Sequence, residues 1–102
     1  MKFITYTMYD AAKLAEVAQV ADKNSKIPGV KPLAQYICLG LPFPGVFPPT
    51  TLTSITIREA ESAEALGAAL YNIALTGATV WAVPVTEVPV GSAEAEVKKL
   101  QK

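Results

Sequence analysis

Histidine is absent from the 102 residues, and cysteine, tryptophan and arginine occur once each. Without histidine the chain loses the commonest general base near neutral pH and the commonest metal ligand. A histidine-ligated haem is excluded, and no metal or cofactor is expected. The single thiol, Cys38, cannot form an internal disulfide, so nothing points to an oxidising compartment. Charge is scarce, at 18% of residues, and nine basic residues balance nine acidic ones. There is no basic stripe to neutralise phosphates, which argues against nucleic acid as a partner. A glycine-rich phosphate loop, paired cysteines and a nucleophile elbow are also missing. What is abundant is apolar: 51% of residues are hydrophobic, which excludes a disordered, solvating chain.

The length suits one domain, residues 1–102. Zero net charge with a mean hydropathy of +0.31 removes the repulsion that keeps copies of a protein apart. A homodimer or higher homo-oligomer is therefore expected, since a two-fold dimer is the commonest way to cover apolar surface. Two stretches carry no charge, Pro32 to Ile57 and Ala65 to Thr86, and the second is 22 residues long. Asn72, Thr76, Gly77, Thr79 and Pro84 interrupt it, and its periodicity changes at Thr76-Gly77, so it reads as helix then strand rather than a membrane span. No signal-peptide pattern precedes the first strand, and a cytoplasmic location is expected.

Alternation predicts a first strand over residues 2–8. Asp10 is placed to cap a helix whose apolar positions are Leu14, Val17, Ala18 and Ala21. Asn24 and Ser25 close that helix before the Pro28-Gly29 turn. A second strand is read over Ala34 to Leu41 and a third over Thr51 to Arg58. Between them lies Pro42 to Pro49, with four prolines in eight residues, which neither helix nor central strand accepts. Ser62 caps a second helix with Leu66, Ala69, Leu70 and Ile73 on one stripe. A fourth strand, Ala78 to Val88, carries Pro84 and so belongs at an edge. Residues 91–102 form a tail helix in which Glu94 precedes Lys98 by one turn.

The order β-α-β-β-α-β plus a tail helix is that of an α+β, ferredoxin-like fold. Right-handed crossovers give an antiparallel four-stranded sheet of order 4-1-3-2, which puts the proline-bearing strand at an edge. The stretches Met1 to Thr7, Ile55 to Leu70 and Thr79 to Glu87 resemble the dimeric α/β-barrel superfamily, in particular its small prokaryotic domains of unknown function. The resemblance implies two sheets facing one another in a homodimer, with a pocket at the sheet face. It also brings a range of activities, from cofactor-free monooxygenases and lactone isomerases to ligand-sensing modules, so fold alone does not name one.

The oilier sheet face, with Ile4, Tyr6, Met8, Ile37, Leu39, Leu41, Ile55 and Ile57, is expected beneath the helices. The other collects Phe3, Thr5, Thr7, Tyr36, Cys38, Leu52, Ser54, Thr56 and Arg58, a mixture that suits either a pocket lining or a dimer contact. From it, with Trp81, come the candidate ligand-binding residues Thr5, Thr7, Tyr36, Cys38, Ser54, Thr56, Arg58 and Trp81. Arg58 reads either as an anion clamp for a carboxylate ligand or as a solvated strand end paired with a glutamate. Cys38 has no partner to lower its pKa and reads best as a small buried hydrophobe. Phe43, Val46 and Phe47 on the proline-rich loop are candidates for a lid, an oligomer contact or a loop folded on its own sheet.

The leading expectation is a homodimeric domain that binds a small, mostly apolar or carboxylate ligand at the sheet face, or serves as an assembly module, with no catalytic residue assigned. The alternative is a cofactor-independent enzyme, monooxygenase- or isomerase-like, in which Tyr36, Arg58 or Trp81 orients the substrate.

Overall fold

The computed structural model describes residues 1–40, 45 and 47–101. Its elements are β1 (Lys2–Asp10), a 3-10 turn (Ala11–Lys13), α1 (Leu14–Asn24), β2 (Val30–Ile37), β3 (Thr51–Ala60), α2 (Ala63–Ala74), β4 (Thr79–Pro84) and α3 (Ala93–Leu100). The four strands form one antiparallel sheet of order β2-β3-β1-β4, which is the expected 4-1-3-2 order read from the other edge. Pro84 ends the edge strand β4, where a missing amide costs no internal ladder bond. The extents of 46 × 35 × 18 Å leave depth for a sheet and one helical layer.

Local chemistry sets the helix starts. The Asp10 carboxylate accepts from the Ala12 amide at 2.8 Å, and the Ser62 hydroxyl accepts from the Ala65 amide at 3.1 Å. Each satisfies one of the amides that a helix start leaves without a partner. The apolar stripe of α2 buries Leu66, Ala69 and Ile73. Leu66 and Ala69 join Val30 and Ala60 in a compact cluster, flanked by Phe3, Ile27, Ala65, Leu70 and Ala82. The helices are tied by Asn24, whose buried amide nitrogen donates to the Ala69 carbonyl at 2.7 Å. Its oxygen accepts from Asn72 at 3.2 Å. On α3, which buries no residue, Glu94 and Lys98 form the expected pair at 3.4 Å.

Two expectations are corrected. The second strand begins at Val30 and ends at Ile37, rather than spanning Ala34 to Leu41. As an edge strand, β2 tolerates Pro32. The second correction concerns which face the helices cover. Phe3 and Ala82 pack into the α2 cluster, and Thr5, Thr7, Tyr9, Thr56, Arg58 and Ala60 are buried on the same side. The helices therefore cover the hydroxyl-rich face. Ile4, Tyr6, Ile55, Ile57 and Trp81 lie on the opposite face, half-exposed.

The turn into β2 sets how closely α2 approaches. Gly29 has φ +84°, and a Cβ built there would stand 3.1 Å from the Ala65 Cβ on α2. Its carbonyl accepts from the Glu61 amide at 2.8 Å, so the turn cannot easily move away. Gly29→Ala is expected to lower stability by about 1–3 kcal/mol, from positive φ and close contact together. Urea unfolding at unchanged m-value checks this.

Candidate functional site

Because α2 lies on the sheet while the close backbone neighbours of α1 are in α2, a cavity of ≈ 280 Å³ remains between α1 and the sheet. Its roof is the inner face of α1: Leu14, Val17, Ala18, Ala21 and Asp22. Its floor comes from three adjacent strands, with Thr7 and Tyr9 of β1, Ser54, Thr56 and Arg58 of β3, and Gln35, Tyr36 and Ile37 of β2. Ile73 of α2 closes one side. An apolar helix wall faces a polar sheet floor, the division of labour that ligand pockets use to hold a body and orient it.

The floor follows from the pleat. On β1 and β3, alternate residues share a face, and the cross-strand pairs Phe3–Arg58, Thr5–Thr56 and Thr7–Ser54 fix the register. Once Val30 and Ala60 are drawn under α2, Arg58 and Thr56 must point to the same side. The Tyr9 hydroxyl and the Ser54 Oγ share a hydrogen bond of 2.9 Å, which fixes both groups at the cavity wall.

Arg58 is the unusual member. It is 4% exposed, its Nη1 is buried without a hydrogen-bond partner, and no carboxylate lies within ion-pair distance among the described residues. Burial pulls its pKa below the ordinary arginine value, since desolvation disfavours the charged form. The solvated strand end considered above is thereby overturned. Thr5 Oγ1, on the same sheet face, is likewise buried and unpartnered.

Of the sequence-predicted site residues, Thr7, Ser54, Thr56 and Arg58 meet in this cavity, with Tyr36 at its rim and 58% exposed. Thr5 is fully buried on the same face but does not line the cavity. Cys38 lies half-buried just beyond β2, its amide bonded to the Thr53 carbonyl at 2.9 Å. Trp81 is on the opposite face, stacked on its cross-strand partner Tyr6 with centroids 5.4 Å apart. Arg58 and Trp81 thus stand on opposite sides of one sheet. Phe47 is half-buried at an isolated bridge, while Phe43 and Val46 lie outside the described residues.

Sequence reasoning left Tyr9, Gln35 and the α1 wall out of the ligand-binding set, though Tyr9 is one of four tyrosines it offers as acid-base candidates. Tyr9 shares the parity of Thr5 and Thr7 and would have followed from a strand carried past Met8. Gln35 had no readable signal, because a bulge between Pro32 and Ala34 shifts the register of β2. The same bulge pairs Tyr36 with Ile55 and Ile37 with Ser54, the reverse of the expected faces. Among the described residues no three Asp, Glu or Cys side chains cluster as a metal site, and no helix is long and apolar enough to cross a membrane.

No protein-family model and no curated protein sequence matches the chain. Solved structures do resemble it. SnoaB, a cofactor-independent oxygenase from Streptomyces nogalater, superposes with a TM-score of 0.54 at 10% identity, over 87% of this chain and 97% of its own. A DUF3240 family protein from Shewanella baltica OS155 gives 0.52 at 9% identity, over 87% and 94%. CPII from Thiomonas intermedia K12, solved with ADP, AMP and acetate, gives 0.50 at 17% identity, over 84% and 89%. At such identities the likeness is one of fold, and the fold is ferredoxin-like.

A buried guanidinium that meets no carboxylate among the described residues costs the domain stability. Arg58→Met keeps the apolar stem and removes the charge, so stability should be unchanged or raised, by up to about 4 kcal/mol. Urea unfolding measures this; a loss beyond about 2 kcal/mol would show that the guanidinium supports the fold itself.

Proposed function

We propose that this domain is a self-associating binding module for a small, mostly apolar ligand. The observation that carries the reading is the cavity under α1, with its apolar roof and its floor of hydroxyls and one guanidinium. At ≈ 280 Å³ it falls just below the usual ligand-pocket range of about 300–1,000 Å³, which suits a small ligand.

Self-association rests on the other side of the sheet. There Ile4, Tyr6, Ile55, Ile57 and Trp81 form a half-exposed, largely apolar surface. A chain of zero net charge offers no repulsion to keep a second copy from covering that face. In this reading the sheet is shared, with ligand on one side and a second copy on the other.

The alternative, a cofactor-independent enzyme, draws on the SnoaB likeness, which extends to the fold. Within one protomer, the separation of Trp81 from Arg58 across the sheet disfavours an active site built from both. An enzyme here would work in the cavity, with Arg58 and the Tyr9–Ser54 pair as its polar groups.

Native mass spectrometry on gently purified protein tests the proposal. The expected result is an assembly of at least two copies carrying non-covalent mass. Ile57→Glu should give monomers by placing a charge on the open face, and Ala18→Phe should remove the extra mass by filling the cavity. A bare monomer from the unaltered chain would overturn the reading.

A further inference from the structure

Three features invite a further reading: the open apolar face, the α3 tail and the Arg58 end of the cavity. The first is absorbed by the self-association proposed above. The tail exposes Val97 and Leu100 but nothing shows what would cover them. The Arg58 end carries more, because it holds an unmet chemical demand.

We propose that the cavity ligand is a monocarboxylate with a short apolar body, its carboxylate seated on the Arg58 guanidinium and its body lying against Leu14, Val17 and Ala18 of α1. This deepens the binding-module reading and rests on it. Arg58 cannot relieve its burial by local pairing, since Nη1 has no partner and no acid of the described chain reaches it. A neutral ligand would leave the charge uncompensated. A carboxylate matches the planar fork with two parallel hydrogen bonds and cancels the charge.

The surroundings narrow the choice to one negative charge. Arg58 is the only cation among the described residues lining the cavity, so one negative charge can be met there, and Asp22, exposed on the α1 wall and not paired with it, would repel a second. A phosphate dianion would bring a second negative charge with nothing to meet it. On the same sheet face, Thr56 and Gln35 line the floor and bring a hydroxyl and an amide as further donors. Away from it the wall is aliphatic, so affinity should grow with apolar contact rather than with further polar groups.

Isothermal titration of the full chain with octanoate, 1-octanol and octyl phosphate separates the possibilities. The expected order is octanoate tightest, with octanol and octyl phosphate each at least tenfold weaker. Arg58→Met should reduce octanoate to the level of octanol, and Ala18→Phe should abolish both without altering any charge. Equal binding of octanoate and octanol would overturn the carboxylate inference while leaving the apolar cavity standing. Octyl phosphate binding tightest would overturn the single-charge argument. Binding of none of the three would overturn both the inference and the binding-module reading. The comparison among ligands uses the unaltered chain, so it holds even where a variant fails to fold.

Discussion

Arg58 rises from the sheet beneath α1, buried and without a counter-ion among the described residues, and the remaining architecture is arranged around that charge. An ion removed from water costs several kcal/mol even after the protein relaxes around it. A domain of this length has a thin margin from which to meet such a cost. The apolar contribution is accordingly concentrated elsewhere, under α2, where Val30, Ala60, Leu66 and Ala69 pack together. Above Arg58 the roof stands clear, and the space is kept rather than filled. Tight packing on one half and a half-polar pocket on the other are two results of one distribution of side chains.

That distribution also decides what the far side of the sheet looks like. Pleating forces a choice: residues alternate, and whichever set faces the helices commits the other to the outside. With Thr5, Thr7, Thr56 and Arg58 inside, Ile4, Tyr6, Ile55 and Ile57 are left outside. Placing polar groups inward exports apolar groups outward. The two functions proposed for this domain are thus linked by register, and neither face can be inverted without inverting the other.

Element order and topology were legible in the sequence because their causes are local. Asp10 and Ser62 announce helix starts, Leu66 to Ile73 mark a buried stripe, and Pro84 identifies an edge. The grouping of Thr7, Ser54, Thr56 and Arg58 was legible too, since period-two alternation puts them together once the strands pair. Which side the helices would cover was not. Hydrophobicity favoured the isoleucine face, and that preference holds only for a domain whose single core is its whole apolar inventory. The bulge in β2 was illegible for a different reason: nothing in Lys31-Pro32-Leu33-Ala34 distinguishes a slipped register from a regular one. The α1 wall was missed because its residues read as ordinary helix core.

The bulge has a consequence for how such a pocket can change over time. Downstream of it, Ile37 sits opposite Ser54 on the cavity side and Tyr36 sits opposite Ile55 on the other. Losing or gaining one residue there would exchange these neighbours, turning a phenol toward the cavity and an aliphatic group toward the open face. Because β2 is an edge, only one partner strand would need to accommodate the shift. A single codon inserted or deleted at this point would therefore recut the cavity floor and the opposite sheet face at once, a coarser change than ordinary point substitution can make.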